Sequence, residues 1–164
     1  HLGFSGSWQH ARYKPFHNAA LVCVDPTGMS NPVAPGATLY PCAIDVTGTA
    51  PPYAPEWSGS FNAGYEFAIG DWTASLSGIA QYRSSINFQP GSGGQLGYDR
   101  DNALFTANVS GYISPPGEQL RVGFYANNVF NEAYPSFRQT AQPYGVYYNA
   151  AKPRTYGLRV EYMF

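Results

Sequence analysis

Trp57-Ser58-Gly59-Ser60-Phe61-Asn62-Ala63-Gly64-Tyr65-Glu66-Phe67 is the stretch that decides the fold. Every second residue is aromatic or small and apolar; every residue between is Ser, Asn, Gly or Glu. Successive side chains of a strand point to opposite faces, so this period of two makes a strand with one oily face and one wet face. Ile69-Gly70-Asp71 follows as a tight connection. Beyond it Trp72, Ala74, Leu76, Gly78, Ala80, Tyr82, Ile86 and Phe88 alternate with Thr73, Ser75, Ser77, Gln81, Arg83, Ser85 and Asn87. The spacing therefore predicts an antiparallel hairpin, Trp57 to Phe67 and Trp72 to Phe88.

Working outward, the same alternation recurs from Leu2 to Tyr13, Ala103 to Ile113, Leu120 to about Asn128, and Arg154 to Phe164. No window carries a sustained helical apolar stripe, and no apolar run approaches the roughly 18 residues of a membrane-spanning helix. About six strands are expected. The stretches between them run long, short, long, short, long, among them roughly Phe16 to Glu56, Gln89 to Arg100 and Asn131 to Pro153. In an antiparallel sheet that places every long loop at one end and every short turn at the other. This is the layout of an outer-membrane barrel, with long extracellular loops and short periplasmic turns.

A water-facing sandwich also alternates, so the charges must discriminate. Inward of the strand ends they are Glu66, Arg83, Arg121, Arg159 and Glu161, all on the polar face. A charge on a lipid face near the midplane costs about 2–4 kcal/mol, which accounts for that segregation. Aromatics gather near strand ends on the apolar face: Trp57, Tyr65 and Phe67; Trp72 and Tyr82; Tyr156, Tyr162 and Phe164. Eight residues at about 3.3 Å each, tilted about 40°, cover about 20 Å, close to the apolar band between two aromatic girdles.

Composition agrees. The chain has 164 residues, 12% of them charged, with 14 Tyr, 10 Phe, 18 Gly and 14 Pro. Nine Lys plus Arg stand against ten Asp plus Glu, so no basic field points to nucleic acid. It reads as one domain, residues 1–164. It opens on His-Leu-Gly-Phe without an initiator Met, basic n-region or apolar h-region, so a processed chain, or one starting partway through a longer protein, is expected.

Several motifs together resemble the C-terminal end of a TonB-dependent outer-membrane receptor. The last strand, Pro153-Arg154-Thr155-Tyr156-Gly157-Leu158-Arg159-Val160-Glu161-Tyr162-Met163-Phe164, is similar to that family's final strand and to the β-signal read by the barrel-assembly machinery. Its signal residues are Tyr156, Leu158, Val160, Tyr162 and Phe164. Asn127-Asn128-Val129-Phe130-Asn131, followed by Tyr134, resembles the Asn-Leu-Phe/Thr-Asp segment of the penultimate strand. Ala54-Pro55-Glu56-Trp57 followed by Gly64-Tyr65-Glu66-Phe67 resembles a recurring strand start and end. Tyr13-Lys14 through Phe16-His17-Asn18-Ala19-Ala20, with Cys23 beyond, looks like a strand-to-loop exit with a cysteine-bearing loop.

The resemblance implies a transmembrane β-barrel segment in the bacterial outer membrane, with about six strands of a larger barrel. It implies active uptake of a scarce nutrient such as a siderophore, vitamin or glycan. Implied partners are outer-membrane lipid, the remainder of the receptor or a split-chain partner, TonB acting through a plug absent here, and the assembly machinery. Plug, TonB box and earlier strands are missing from the sequence. Six strands fall short of the smallest barrel of about 8, so a fragment or half of a split receptor is expected. Two other classes compete: a secreted β-sandwich carbohydrate-binding module, and a self-assembling surface structural protein.

Cys23 and Cys42 share one polar, Pro-rich stretch and are expected to form a loop disulfide, with two free thiols as the alternative. Tyr144, Tyr147 and Tyr148 form a candidate ligand-contacting loop, the alternative being packing over the lumen. His1, His10 and His17 lack metal-site spacing and read as girdle or loop-base residues. Asp99-Arg100-Asp101 reads as an ion-pair cluster at the rim, and Gly91-Ser92-Gly93-Gly94 as a loop tip rather than a phosphate loop. No catalytic arrangement or cofactor fingerprint is found, so no enzyme activity, metal or cofactor is expected.

Overall fold

A computed structural model describes residues 1–24, 39–90, 100–117, 119–141 and 145–164; at 20–24, 39–44, 140–141 and 145–146 the description is of the backbone. Six strands form one antiparallel sheet: β1 (Leu2–Trp8), β4 (Trp57–Ile69), β5 (Trp72–Arg83), β8 (Leu104–Ser114), β9 (Leu120–Asn127) and β12 (Thr155–Tyr162), in the order β1-β4-β5-β8-β9-β12. Each pairs with the next of the six along the chain, giving an up-and-down meander. The sheet is open, with β1 and β12 as its edges.

The register makes the alternation two-dimensional. Leu2 lies opposite Ala63, Ala63 opposite Gly78, Gly78 opposite Val109 and Val109 opposite Ala126, which faces Tyr156. One row down, Tyr65, Leu76, Gly111, Phe124 and Leu158 align. One face is thus apolar across all six strands, and its large side chains stay open: Phe4, Tyr65, Leu76, Phe124 and Leu158 are all exposed. Among the described residues no second sheet covers this face. Among the described residues the buried apolar ones are few, namely Ala19, Val46, Ala74, Ile86 and Phe88, and most lie under the loops. A sandwich would bury the face that here lies bare.

The short connections follow from local chemistry. Gly70 takes φ +62° at the first position of a two-residue turn between paired Ile69 and Trp72. Asp71 has no positive φ, so the turn is of the II′ kind, whose twist suits a hairpin. At the other short connection the buried Ser114 hydroxyl donates to Leu120 O at 2.8 Å, tying the end of β8 to the start of β9.

Three expectations are corrected. The first strand ends at Trp8 rather than Tyr13, although Gln9 N–H to Glu56 O and Tyr13 N–H to Thr49 O carry the pairing upward irregularly. The third ends at Arg83 rather than Phe88. There Ser84 and Trp57 exchange two bonds, Ser84 N–H to Trp57 O and Trp57 N–H to Ser84 Oγ, and the chain leaves the ladder. Ile86 and Phe88 keep the alternation but serve a small core under the loops, where Phe88 meets Tyr53 edge-on at 5.4 Å.

The long connections, expected to be irregular, contain hairpins. β2 (Ala19–Val24) pairs with β3 (Leu39–Ile44), and β10 (Pro135–Ala141) with β11 (Gly145–Ala150). The two-residue strands β6 (Ile86–Asn87) and β7 (Arg100–Asp101) form a third pair. Alternation inside these hairpins is too short to stand out against their Pro and Gly.

Candidate functional site at the long-loop end

The second face of the sheet is mostly polar, with Ile79, Leu104 and Ala68 as its apolar exceptions. Its cross-strand pairs include Ser5 with Ser60, Ser7 with Ser58, Ser60 with Gln81, Gln81 with Thr106, and Ser77 with Ser110. Hydroxyls bond across the ladder, Ser5 Oγ with Ser60 Oγ at 2.8 Å and Ser77 Oγ with Ser110 Oγ at 2.9 Å. Cross-strand hydroxyl pairs of this kind contribute a few tenths to about 1 kcal/mol each.

Charge sits at the two ends of this face. Toward the short turns, Tyr112 Oη donates to Glu66 Oε2 at 3.3 Å, the Arg121 guanidinium lies 5.0 Å over the Tyr112 ring, and Arg159 meets Glu161 at 3.7 Å. Tyr125 lies across Gly157, its strand partner: an added Cβ there would meet Tyr125 Oη at 2.7 Å. Glycine at 157 is what lets the ring lie flat.

Toward the long loops, Arg83 forms an ion pair with Asp101 and donates to the carbonyls of Ser84 (3.3 Å) and Asn102 (3.2 Å). Both side chains of the pair are under one-fifth exposed. The β6–β7 bend is thereby tied to the top of β5. Between these ends lies a cavity walled by Ser5, Ser58, Ser60, Gln81, Thr106 and Tyr134. Tyr134 directly precedes β10, so the cavity reaches the foot of the β10–β11 hairpin.

Two clasps hold the base of the first long loop. His10 Nδ1 and Glu56 Oε1 lie 3.2 Å apart; His17 Nδ1 and Asp45 Oδ2 lie 3.0 Å apart. Between them the chains cross-bond through Val46 N–H to Phe16 O and Gly48 N–H to Tyr13 O, and Val46 is fully buried. The Thr47 hydroxyl, the Thr47 N–H (2.8 Å to Oδ1) and then His17 hold the Asp45 carboxyl down at about 2.

An unfolded Asp titrates near 3.8, so the folded form favours the ionised carboxyl. Its contribution is whole above about pH 4 and is lost as the pH falls toward 2. A carbon-13 titration of the Asp45 carboxyl is expected to give a midpoint near 2, and one at or above 3.8 would contradict the clasp.

A third knot closes the last long loop. Asn128, with φ +50°, bonds Asn108, Glu132 and Lys152. Above it, β10 and β11 present two faces. Phe137 pairs with Asn149 and Gln139 with Tyr147 on one; Arg138 pairs with Tyr148 on the other. Arg138 Nη1 donates to Arg100 O at 3.2 Å, linking this hairpin to the β6–β7 bend.

The structure separates several residues grouped by sequence. Tyr147 and Tyr148 are both exposed but stand on opposite hairpin faces, and Tyr144 lies outside the described residues. His10 and His17 sit in separate clasps, while the His1 ammonium donates to Gly64 O near the middle of β4. Of Asp99-Arg100-Asp101, Asp101 pairs with Arg83, Arg100 donates to Ser85 Oγ, and Asp99 is outside the description, as is Gly91-Ser92-Gly93-Gly94. Backbone pairing sets Cys23 opposite Tyr40 and Cys42 opposite Leu21; both cysteine side chains lie outside the described residues. Tyr156, Leu158, Val160, Tyr162 and Phe164 are exposed at the sheet edge, along or just past β12. Sequence reading missed the Arg83–Asp101 anchor and the Asp45-Val46-Thr47 turn; the Asp-x-Thr spacing was the available signal for the second.

No protein-family model matches this chain, and no curated protein matches it. Among solved structures, the crystal structure of BauA, the ferric preacinetobactin receptor from Acinetobacter baumannii, is similar over 87% of this chain, with a TM-score of 0.52 and 18% identity. The chain spans 25% of that receptor's length. At this identity the likeness is one of fold alone.

Proposed function

We propose that this chain is a wall segment of a TonB-dependent receptor in the bacterial outer membrane, importing a scarce nutrient. The observation that carries the reading is the apolar face, continuous in register across six strands, exposed and free of charge. From Trp57 to Phe67 is ten residues, which at about 3.3 Å each and a tilt of about 40° span about 25 Å, the height of an outer-membrane apolar band. Trp8 and Trp57, 6.1 Å apart, mark its upper rim; Trp72, Tyr162 and Phe164 mark its lower.

In this reading the apolar face meets lipid, and the polar face lines a lumen beside a plug contributed by the rest of the receptor or by a split-chain partner. TonB acts through that plug. The β1 and β12 edges cannot face lipid unpaired, so further strands continue the sheet on both sides and close the barrel. The assembly machinery reads β12 and the residues just past it, through Tyr156, Leu158, Val160, Tyr162 and Phe164. No residue of the segment does covalent chemistry.

Electrophoresis of protein extracted from the native outer membrane, heated and unheated, tests this. The expected result is heat-dependent mobility and a polypeptide several times heavier than 17.9 kDa, or a 17.9 kDa chain with a co-purifying barrel partner. A lone, soluble 17.9 kDa species would overturn it.

A further inference from the structure

We infer that the long-loop end receives an uncharged carbohydrate, held first on the β10–β11 face formed by Phe137, Gln139, Tyr147 and Asn149. This rests on the receptor reading above and names the ligand class of the same site. The register sets the four residues in a checkerboard: aromatic opposite amide, then amide opposite aromatic. All four side chains are exposed, and none is charged.

The chemistry of the two residue types is complementary to a sugar. The apolar C–H face of a pyranose stacks on an aromatic ring, which loses few rotamers on binding. A primary amide offers two donors and one acceptor oxygen, matching neighbouring hydroxyls that must both give and receive. Direct partners lie about 5 Å apart and diagonal ones about 7–8 Å apart, so one ring system can meet both types at once.

The cavity that reaches the hairpin's foot supplies a second, independent observation. It continues from Tyr134, at the foot of the hairpin, to Ser5, Ser58, Ser60, Gln81 and Thr106. These are hydroxyls and an amide again, set beside Leu104, Tyr82 and two glycines. The single cation among its lining residues, Arg83, is already engaged by Asp101 and by the carbonyls of Ser84 and Asn102. An anionic ferric chelate or a phosphorylated ligand would be expected to find charge-assisted donors here, and among the described lining residues that cation is committed elsewhere.

The test is titration of the intact receptor, purified from the outer membrane in detergent. The probes are maltohexaose, cellohexaose and xylohexaose, set against a ferric tris-catecholate, a ferric tris-hydroxamate and glucose 6-phosphate. At least one neutral hexaose is expected to bind saturably, with affinity little changed between 0.05 and 0.5 M salt. Tyr147→Ala and Gln139→Ala are each expected to weaken it tenfold or more, while Tyr147→Phe keeps the stacking ring and retains binding. Heat-dependent mobility of each variant reports folding.

Binding of none of the three hexaoses, or binding of a ferric chelate that they do not compete for, would overturn the ligand class and leave the receptor reading standing. Hexaose binding that is indifferent to both alanine variants would overturn the site. A soluble, non-membrane protein that binds a hexaose through Tyr147 would uphold the site and sink the receptor reading.

Discussion

Leu76→Arg is expected to cripple assembly of the sheet, while Ser77→Arg, one residue along the same strand, leaves it intact. Both positions are exposed, and both lie near the middle of β5. They differ in face. Leu76 is 48% exposed on the apolar side, between Tyr65 and Gly111. Ser77 is on the polar side, between Gly64 and Ser110. In water both substitutions are surface changes worth about 0.5 kcal/mol or less. In a bilayer, arginine at mid-depth on the lipid face costs about 2–4 kcal/mol, a fall of roughly 30- to 700-fold in the folded-to-unfolded ratio. Losing the Ser77–Ser110 hydroxyl pair adds about 1 kcal/mol at most to the second variant.

Chemical unfolding of each variant in lipid vesicles measures the difference. Equal, small effects would place water on both faces. A large effect at Ser77 alone would invert the assignment of the faces.

Those two residues also show why the sheet was legible in the sequence. Leu76 and Ser77 differ by one step in a period-two pattern, and a one-residue slip would reverse every side chain of the strand. The pattern therefore encodes strand, register and face together, and the six strands of the sheet appear where the alternation runs. The failures mark places where something other than a flat sheet uses the same alternation. Ile86 and Phe88 continue the rhythm of β5 but turn into the small core beside Tyr53, because Ser84 has already exchanged its bonds with Trp57. Nothing in the local pattern announces that exchange; it depends on a residue 27 positions away. The checkerboard on β10–β11 was hidden for the same reason. Phe137 and Tyr147 become neighbours only through pairing, and the nearby tyrosines that looked like a cluster face opposite ways.

Asn128→Ala is expected to release the last long loop while sparing the sheet below it. Asn128 is 7% exposed and sits where β9 ends. Its N–H donates to Asn108 Oδ1 at 2.9 Å, which fixes it to the neighbouring strand. Its side-chain amide donates to Glu132 O at 2.9 Å and Lys152 O at 3.3 Å, and its Oδ1 accepts from Glu132 N–H at 3.0 Å. One side chain therefore ties the outgoing chain to the returning one, and Arg154 N–H to Asn131 Oδ1 (3.0 Å) completes the knot.

Alanine removes all three side-chain bonds and leaves their partners partly buried and unmet, at about 1–3 kcal/mol for each group that water cannot reach. It must also hold φ +50°, which favours Asn and Gly and costs alanine about 1–2 kcal/mol. Asn128→Gly loses the same bonds without that strain, so it is expected to fall between wild type and alanine by about 1 kcal/mol. The effect should be local, because β8, β9 and β12 keep their own ladders. Limited proteolysis is expected to cut the alanine variant between residues 128 and 154 at least tenfold faster than wild type, with glycine between, while the thermal stability of the sheet is unchanged. Equal cutting of all three would mean that the hairpin is held from above, by Arg138 and its neighbours, and that the knot at its base is incidental.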